Sequence, residues 1–260
     1  MRKNKVKAAL GAGEIVIGSE ASRIRTAELA QIFAAAGFDF VFIDMEHTSF
    51  NMETVADMIR IARLVNIVPI VRVPNAEYHF IARALDGGAQ GIIVPRLTTP
   101  KQVEEVVRWV RYPPIGVRGI ALTPSQTEYE TVTAKDFMDW LQRETLIVIQ
   151  IERKEALENL SDMLSVPGVD VAALGCMDLS VDLGVPGETD HPAIRSSIEA
   201  VIAACQQHRV SAGMIASDID TLSYWAGRGA RFLSYSTGAA ILLRAASAAV
   251  RRLREEPEQS

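Results

Sequence analysis

The chain has 260 residues, 48% of them apolar and 23% charged, with a formal net charge of −5. This length and composition suit one α/β domain with an ample core, and the acidic balance argues against a nucleic-acid partner, which a basic surface would serve. No apolar run approaches the roughly 18 residues needed to cross a bilayer. The apolar stretch of MRKNKVKAALGAGE is too short for a signal peptide, and Cys176 and Cys205 form neither a metal pair nor a disulfide framework, so a cytoplasmic protein is expected.

Short β-rich runs alternate with longer helical runs, the pattern of βαβ units. Strands are predicted at Ile15–Ser19, Phe40–Asp44, Val68–Arg72, Gly91–Pro95, Leu146–Ile151, Val171–Gly175, Ser211–Ile215 and Phe232–Ser236. Helical stretches such as ETVADMIRIARLV and PKQVEEVVRWVRY separate them. Several strands are apolar on both sides, as strands covered by helices are. AAAGFDF, DGGAQG and GRGARF each read as a helix ending in glycine and turning into a strand. Eight such units predict a single (β/α)8 TIM barrel over residues 1–260. The segment Tyr112–Glu144 is the one long interruption, and it is expected to decorate the catalytic rim. The last helix, about residues 238–256, carries apolar residues at helical spacing. It packs either on its own barrel or on a neighbouring subunit.

In a parallel barrel all strand C-terminal ends open on one face, where residues distant in sequence converge. Asp44, Glu46 and His47 end the second apolar run (IDMEHT), Arg72 ends the third, Glu152 ends the fifth, and Asp178 lies just beyond the sixth. Glu152 and Asp178 are hard oxygen ligands suited to Mg²⁺ or Mn²⁺; the competing reading is that each caps the helix that follows. A buried Arg72 needs an anion, either Asp44 or Glu46 or an oxygen of a bound oxo acid. Asp44 could orient the His47 ring for proton transfer. His79, His191 and His208 read as structural, His191 in the first turn of a helix capped by Asp190. The turn from Gly175 to Asp178 could present backbone N–H groups to a carboxylate or phosphate. Cys176 has no histidine near it in sequence and reads as a packed thiol. GAGEIVIG lacks the spacing of a dinucleotide fingerprint.

The strings AAAGFDFVFIDMEHTSFN, IVPIVRVP, LDGGAQGIIVPR, VRYPPIGVRGIAL, IVIQIERKEALENL, GVDVAALGCMDLSVDLGVPG and GARFLSYSTGAAILLRAA occur in that order. Together they resemble the HpcH/HpaI-type class II pyruvate aldolases, a family that includes 4-hydroxy-2-oxoheptanedioate and 2-dehydro-3-deoxyglucarate aldolases. The resemblance covers nearly the whole chain. It implies an α/β barrel of the phosphoenolpyruvate/pyruvate type, assembled as a homo-oligomer (hexamer or trimer) with the last helix exchanged between subunits. The implied activity is that of a divalent-metal-dependent lyase, which forms or cleaves 4-hydroxy-2-oxo acids with pyruvate and an aldehyde as partners.

By position, the resemblance implies that Glu152 and Asp178 hold Mg²⁺, Mn²⁺ or Co²⁺. Arg72 would bind the keto or enolate oxygen, and His47, supported by Asp44, would move a proton through a water. Backbone amides around Gly175, Met177 and Asp178 would hold the pyruvate carboxylate, with Glu46 and Asp86 behind these groups. No Schiff-base lysine is required, since Lys101, Lys135 and Lys154 lie in helical or loop stretches. Three departures bear on the acceptor aldehyde. Gly175-Cys176-Met177-Asp178-Leu179 stands where the family usually has Gly-Pro-Ala-Asp-Leu. Met45 replaces a usual glycine, and LTPSQTEYE follows Gly119 in place of an arginine-bearing loop. An oxaloacetate decarboxylase or a citryl/malyl-CoA-type lyase on the same barrel is the alternative enzyme. A barrel that only binds an oxo acid is the alternative of another class.

Overall fold

The computed structural model describes residues 1–255. Eight parallel strands close into a barrel in chain order, as predicted. They are β1 (Val16–Ala21), β2 (Phe40–Asp44), β3 (Val68–Arg72), β4 (Gly91–Val94), β5 (Leu146–Ile151), β6 (Val171–Leu174), β7 (Ser211–Ala216) and β8 (Ala230–Thr237). The helices are α1 (Lys5–Gly11), α2 (Glu28–Ala35), α3 (Met52–Leu64), α4 (Tyr78–Asp86), α5 (Pro100–Val110), α6 (Pro124–Thr127), α7 (Ala134–Glu144), α8 (Lys154–Glu158), α9 (Leu160–Ser165), α10 (Cys176–Asp182), α11 (Pro192–His208), α12 (Ile219–Ala226) and α13 (Gly238–Glu255). β1 ends two residues later than predicted, because Glu20 and Ala21 pair with Phe42 and Ile43 of β2, and β8 begins two residues earlier, because Ala230 pairs with Ala212 of β7.

Successive strand residues alternate between two apolar layers. Val16, Phe40, Phe42, Ile70, Val148 and Phe232 fill the barrel interior, where the Phe40 and Phe232 rings stack at 4.3 Å. A Cβ on Gly18 would lie 2.3 Å from the Phe40 ring, so β1 must be bare at that level. Val41, Ile43, Val71, Ile92 and Ile149 face outward against the helices. Helix α1 plugs the N-terminal end. Its Val6 and Leu10 join the interior cluster, and the buried Asn4 caps it while donating to the carbonyls of Gln90 and Glu144.

The long interruption lies where the sequence reading did not place it. Residues 112–144 follow α5 and precede β5, and connections from helix to strand lie on the N-terminal face. They form a small cluster of their own around Tyr112, Phe137 and Leu141, far from the catalytic rim. The last helix ends at Glu255, and residue 256 of its predicted span lies outside the described residues. Helix α13 leaves Leu242, Leu243 and Leu253 exposed. Ile17, on the outer face of β1, is also 42% exposed.

Candidate active site

Strand period brings the polar residues together. Interior positions alternate, so β1 continues Val16 and Gly18 with Glu20, and β5 continues Leu146 and Val148 with Gln150 and then Glu152. The register of β2 and β3 sets Asp44 directly beside Arg72. The carboxylate of Asp44, fully buried, accepts the backbone N–H groups of Glu46 (3.0 Å) and His47 (3.2 Å). This is an Asx-type turn, which ends the strand and aims the next residues at the barrel mouth.

Arg72 Nε donates to Asp44 Oδ1 at 2.8 Å, and Nη1 donates to Gln150 Oε1 at 3.4 Å. The guanidinium lies 4.9 Å from the Phe42 ring centroid. Among the described residues no protein group accepts from Nη2. Burial alone would lower the Arg72 pKa, but Asp44, Glu46 and Glu20 outweigh it and hold the group above its ordinary value. The expected structural ion pair therefore exists, yet it leaves one donor over.

Gln150 also donates through Nε2 to Glu152 Oε2, and the backbone N–H of Arg96 reaches Glu152 Oε1 at 2.7 Å. To point that N–H inward, Arg96 adopts a left-handed φ of 60°, a conformation that costs an ordinary residue about 1 kcal/mol or more. Its side chain turns to Glu46, with Nη2 2.9 Å from Oε1. The other Glu46 oxygen sits 3.4 Å from both Arg72 Nε and His47 Nε2. Thus the carboxylate beside the His47 ring is Glu46. Asp44 holds only the His47 backbone, and the expectation that Asp44 orients the ring is corrected. The ring itself is half exposed.

Neither candidate metal ligand acts as a helix cap. Helix α8 has Arg153 and α10 has Gly175 at the N-cap, without side-chain caps. Glu152 is buried and turned inward. Its carboxyl is pushed upward chiefly by burial, and further by the negative charges of Glu46 and Asp178, against the hydrogen bonds from Arg96 and Gln150. A Cβ on Gly175 would lie 2.8 Å from Glu152 Oε2, so only glycine lets β6 pass this carboxylate. Glu20, Asp44, Glu46, Glu152 and Asp178 gather around Arg72 and Arg96, an excess of negative charge that a divalent cation would relieve. Among the described residues no three His, Cys, Asp or Glu side chains are grouped as a metal site. The Glu152–Asp178 pair alone still suits a hard cation that keeps positions for water and substrate.

The departures from the family pattern separate. Met45 is buried in the outer apolar layer and stays out of the site. Met177 is 60% exposed and lines a cavity of about 410 Å³ together with Glu20, Asp190, Ser217, Asp218 and Ser236. Burial pushes the thiols of Cys176 and Cys205 up to about 12, as packed groups. Asp86 does not belong to the site. It ends α4 at the opposite end of the barrel and pairs with Arg118 at 2.7 Å. His191 caps α11 itself, through Nδ1 to the N–H of Ala193, in place of the expected Asp190. The sequence reading missed Glu20, Arg96 and Gln150. Strand alternation carried the signal for Glu20 and Gln150, whereas the backbone contact of Arg96 with Glu152 and its side-chain pair with Glu46 depend on a left-handed φ that no local pattern marks.

Comparison with known proteins shows the family and the fold. The family model described as HpcH/HpaI aldolase/citrate lyase matches residues 22–244. A hydroxypyruvate/pyruvate aldolase of Roseobacter denitrificans is 34% identical over 240 residues, covering 92% of this chain and 93% of that protein. A 4-hydroxy-2-oxo-heptane-1,7-dioate aldolase of Shigella sonnei is 31% identical over 250 residues, covering 96% and 95%. The crystal structure of an HpcH/HpaI aldolase from Desulfitobacterium hafniense superposes with a TM-score of 0.92 at 29% identity, covering 98% of each chain.

Proposed function

We propose a pyruvate-enolate mechanism on the premise that the chain belongs to the HpcH/HpaI aldolase/citrate lyase family and is a lyase of the aldolase type. The reaction forms or cleaves a 4-hydroxy-2-oxo acid, with pyruvate as one partner and an aldehyde as the other. The observation that supports it is the chain of contacts Asp44–Arg72–Gln150–Glu152, which leaves Arg72 Nη2 as a spare cationic donor at the barrel mouth. Asp44 fixes the guanidinium plane, and the spare N–H donates to the oxygen on which enolate charge develops. The first-turn amides of α10, from Cys176 to Asp178, have no intrahelical acceptor and hold the substrate carboxylate. His47, steered by Glu46, exchanges a proton with the aldol oxygen through a water.

Glu152 and Asp178 would hold a divalent cation, Mg²⁺, Mn²⁺ or Co²⁺, whose Lewis acidity would polarise the substrate carbonyl. A decarboxylase passing through the same enolate uses the same groups. A CoA ester is disfavoured by the acids on the cavity wall, where its phosphates would need cations. The same barrel assembles as a homo-oligomer. The apolar surface that Leu242, Leu243 and Leu253 of α13 leave exposed is what supports a subunit contact through the last helix.

The test is exchange of the pyruvate methyl protons in D₂O, which needs the enolate and no aldehyde. Wild type with Mn²⁺ should exchange. Arg72→Lys should slow exchange by about 10²–10³-fold, because an ammonium cannot reproduce the two-point geometry. A rate within threefold of wild type would remove Arg72 from its assigned role.

A further inference from the structure

The 410 Å³ cavity opens between the ends of β6, β7, β8 and β1. Its wall includes Cys176 and Met177 of the turn assigned to the substrate carboxylate, and Glu20, which lies within the field of Arg72 and His47, so it adjoins the place assigned to the enolate and offers room for the aldehyde. Its polar wall is unusual for a site that would accept a second acid. Glu20 lies on the interior face of β1, half-buried, within the field of Asp44, Arg72 and His47. Asp218, at the rim, accepts the N–H of Thr221 at 2.7 Å as the cap of α12. Asp190 is paired with Arg195, the cation of that wall, at 3.3 Å. Arg244 lies nearby on α13, but its nitrogens are held by Ser217 O, Tyr235 Oη and Ser236 Oγ at 2.8–3.0 Å. Among the described residues on this wall, no guanidinium or ammonium is left without a partner for a distal carboxylate.

We propose that this cavity selects a neutral, hydroxyl-bearing aldehyde over an aldehyde that carries a carboxylate, and that Glu20 sets the preference. The inference rests on the pyruvate-enolate reading above. In the step concerned, the methyl-derived carbon of the enolate forms a bond to the aldehyde carbon. The carbonyl π pair moves to the aldehyde oxygen, which takes up one proton. The hydroxyls of such an aldehyde can donate to Glu20 and accept from Thr or Ser hydroxyls on the wall. An acceptor carboxylate would meet Glu20 as a like charge, and the system would bear repulsion or take up a proton to avoid it; either disfavours binding. Asp218 and Asp190 are exposed, where water and salt weaken their influence. The half-buried Glu20 therefore dominates.

The experiment measures kcat/KM for pyruvate addition to glyceraldehyde and to succinic semialdehyde, with Mn²⁺, by product mass. The enzymes are wild type, Glu20→Gln and Asp218→Asn, the last chosen because asparagine still caps α12. Methyl exchange of pyruvate in D₂O, read on the same samples, reports the enolate without an aldehyde. Wild type should favour glyceraldehyde by at least about tenfold, the scale of one desolvated like-charge contact. Glu20→Gln should shrink that ratio at least threefold, and Asp218→Asn should shrink it less. A wild type that exchanges pyruvate but treats both aldehydes alike, or favours the acid, overturns the inference and leaves the enolate reading standing. An unchanged ratio in exchange-competent Glu20→Gln also overturns it. If Glu20→Gln does not fold, a ratio that rises in Asp218→Asn overturns it instead. A wild type that exchanges no pyruvate overturns the enolate reading and this inference together.

Discussion

Two buried arginines, each hydrogen-bonded to an aspartate, stand at opposite ends of this barrel. Arg72 meets Asp44 at 2.8 Å at the C-terminal ends of the strands, and Arg118 meets Asp86 at 2.7 Å on the N-terminal face. Their distances are nearly identical, although the Asp44 side chain is buried and that of Asp86 is one-third exposed. Their surroundings differ. Arg72 also faces Glu46 and donates to Gln150. The Arg118 side chain is wholly buried against the Tyr112 ring, 4.9 Å from its centroid, and its Nε and Nη1 have no partner. The first pair is one member of a convergent set; the second ties a loop to the end of a helix. A buried ion pair becomes a candidate site through what the fold brings around it. The strand ends bring five carboxylates, while the loop brings one.

The comparison is most sharply tested at the metal pair. Glu152→Gln and Asp178→Asn should each raise the apparent Kd for Mn²⁺ and lower aldolase kcat/KM by more than about 10³-fold, since a ligand charge and its Lewis acid are lost together. Unaltered Mn²⁺ binding, followed by calorimetry, would contradict the assignment. Next comes the same deletion at both ends. Asp44→Ala and Asp86→Ala each strand a buried guanidinium; the first should cost about 3 kcal/mol of stability in urea titration and the second less, since Asp86 is partly exposed to water. Only Asp44→Ala should also lower kcat/KM, by about 10²-fold; Asp86→Ala should leave the activity of the folded protein within twofold. Equal activity losses would erase the distinction.

The smallest effect is on pH. Burial, and then Asp44, raise the Glu20 carboxyl above its ordinary value of 4.5. A raised acid favours the folded state fully below the unfolded pKa and loses that contribution as pH rises through the folded value. The Tm of wild type minus that of Glu20→Gln should therefore fall as pH rises from about 4 toward neutrality. A difference that rises instead would place Glu20 among stabilising cations.

Much of the site was visible in the chain because parallel strands must be apolar, so a charge at their ends stands out. Asp44, Arg72, Glu152 and Asp178 were found that way. Glu20 and Gln150 carry the same signal in the period-2 alternation of β1 and β5, as polar residues at interior positions of apolar runs. Asp86 was misplaced because it was judged by resemblance, whereas its position at the end of a helix leading into a strand already put it on the N-terminal face. The same order argument relocates residues 112–144.

The sequence by itself determined the eightfold alternation, the closed barrel and the acids and arginine at its strand ends, because burial imposes apolar periodicity and punctuation that local residues must obey. Only the tertiary structure decided that Arg96 offers its backbone to Glu152, that Glu46 rather than Asp44 attends His47, and that Gln150 joins Arg72 to Glu152. These are contacts across different strands, and they depend on register, on one left-handed φ and on a glycine that lets two strand ends approach. No local pattern encodes such distances; they exist once the barrel closes.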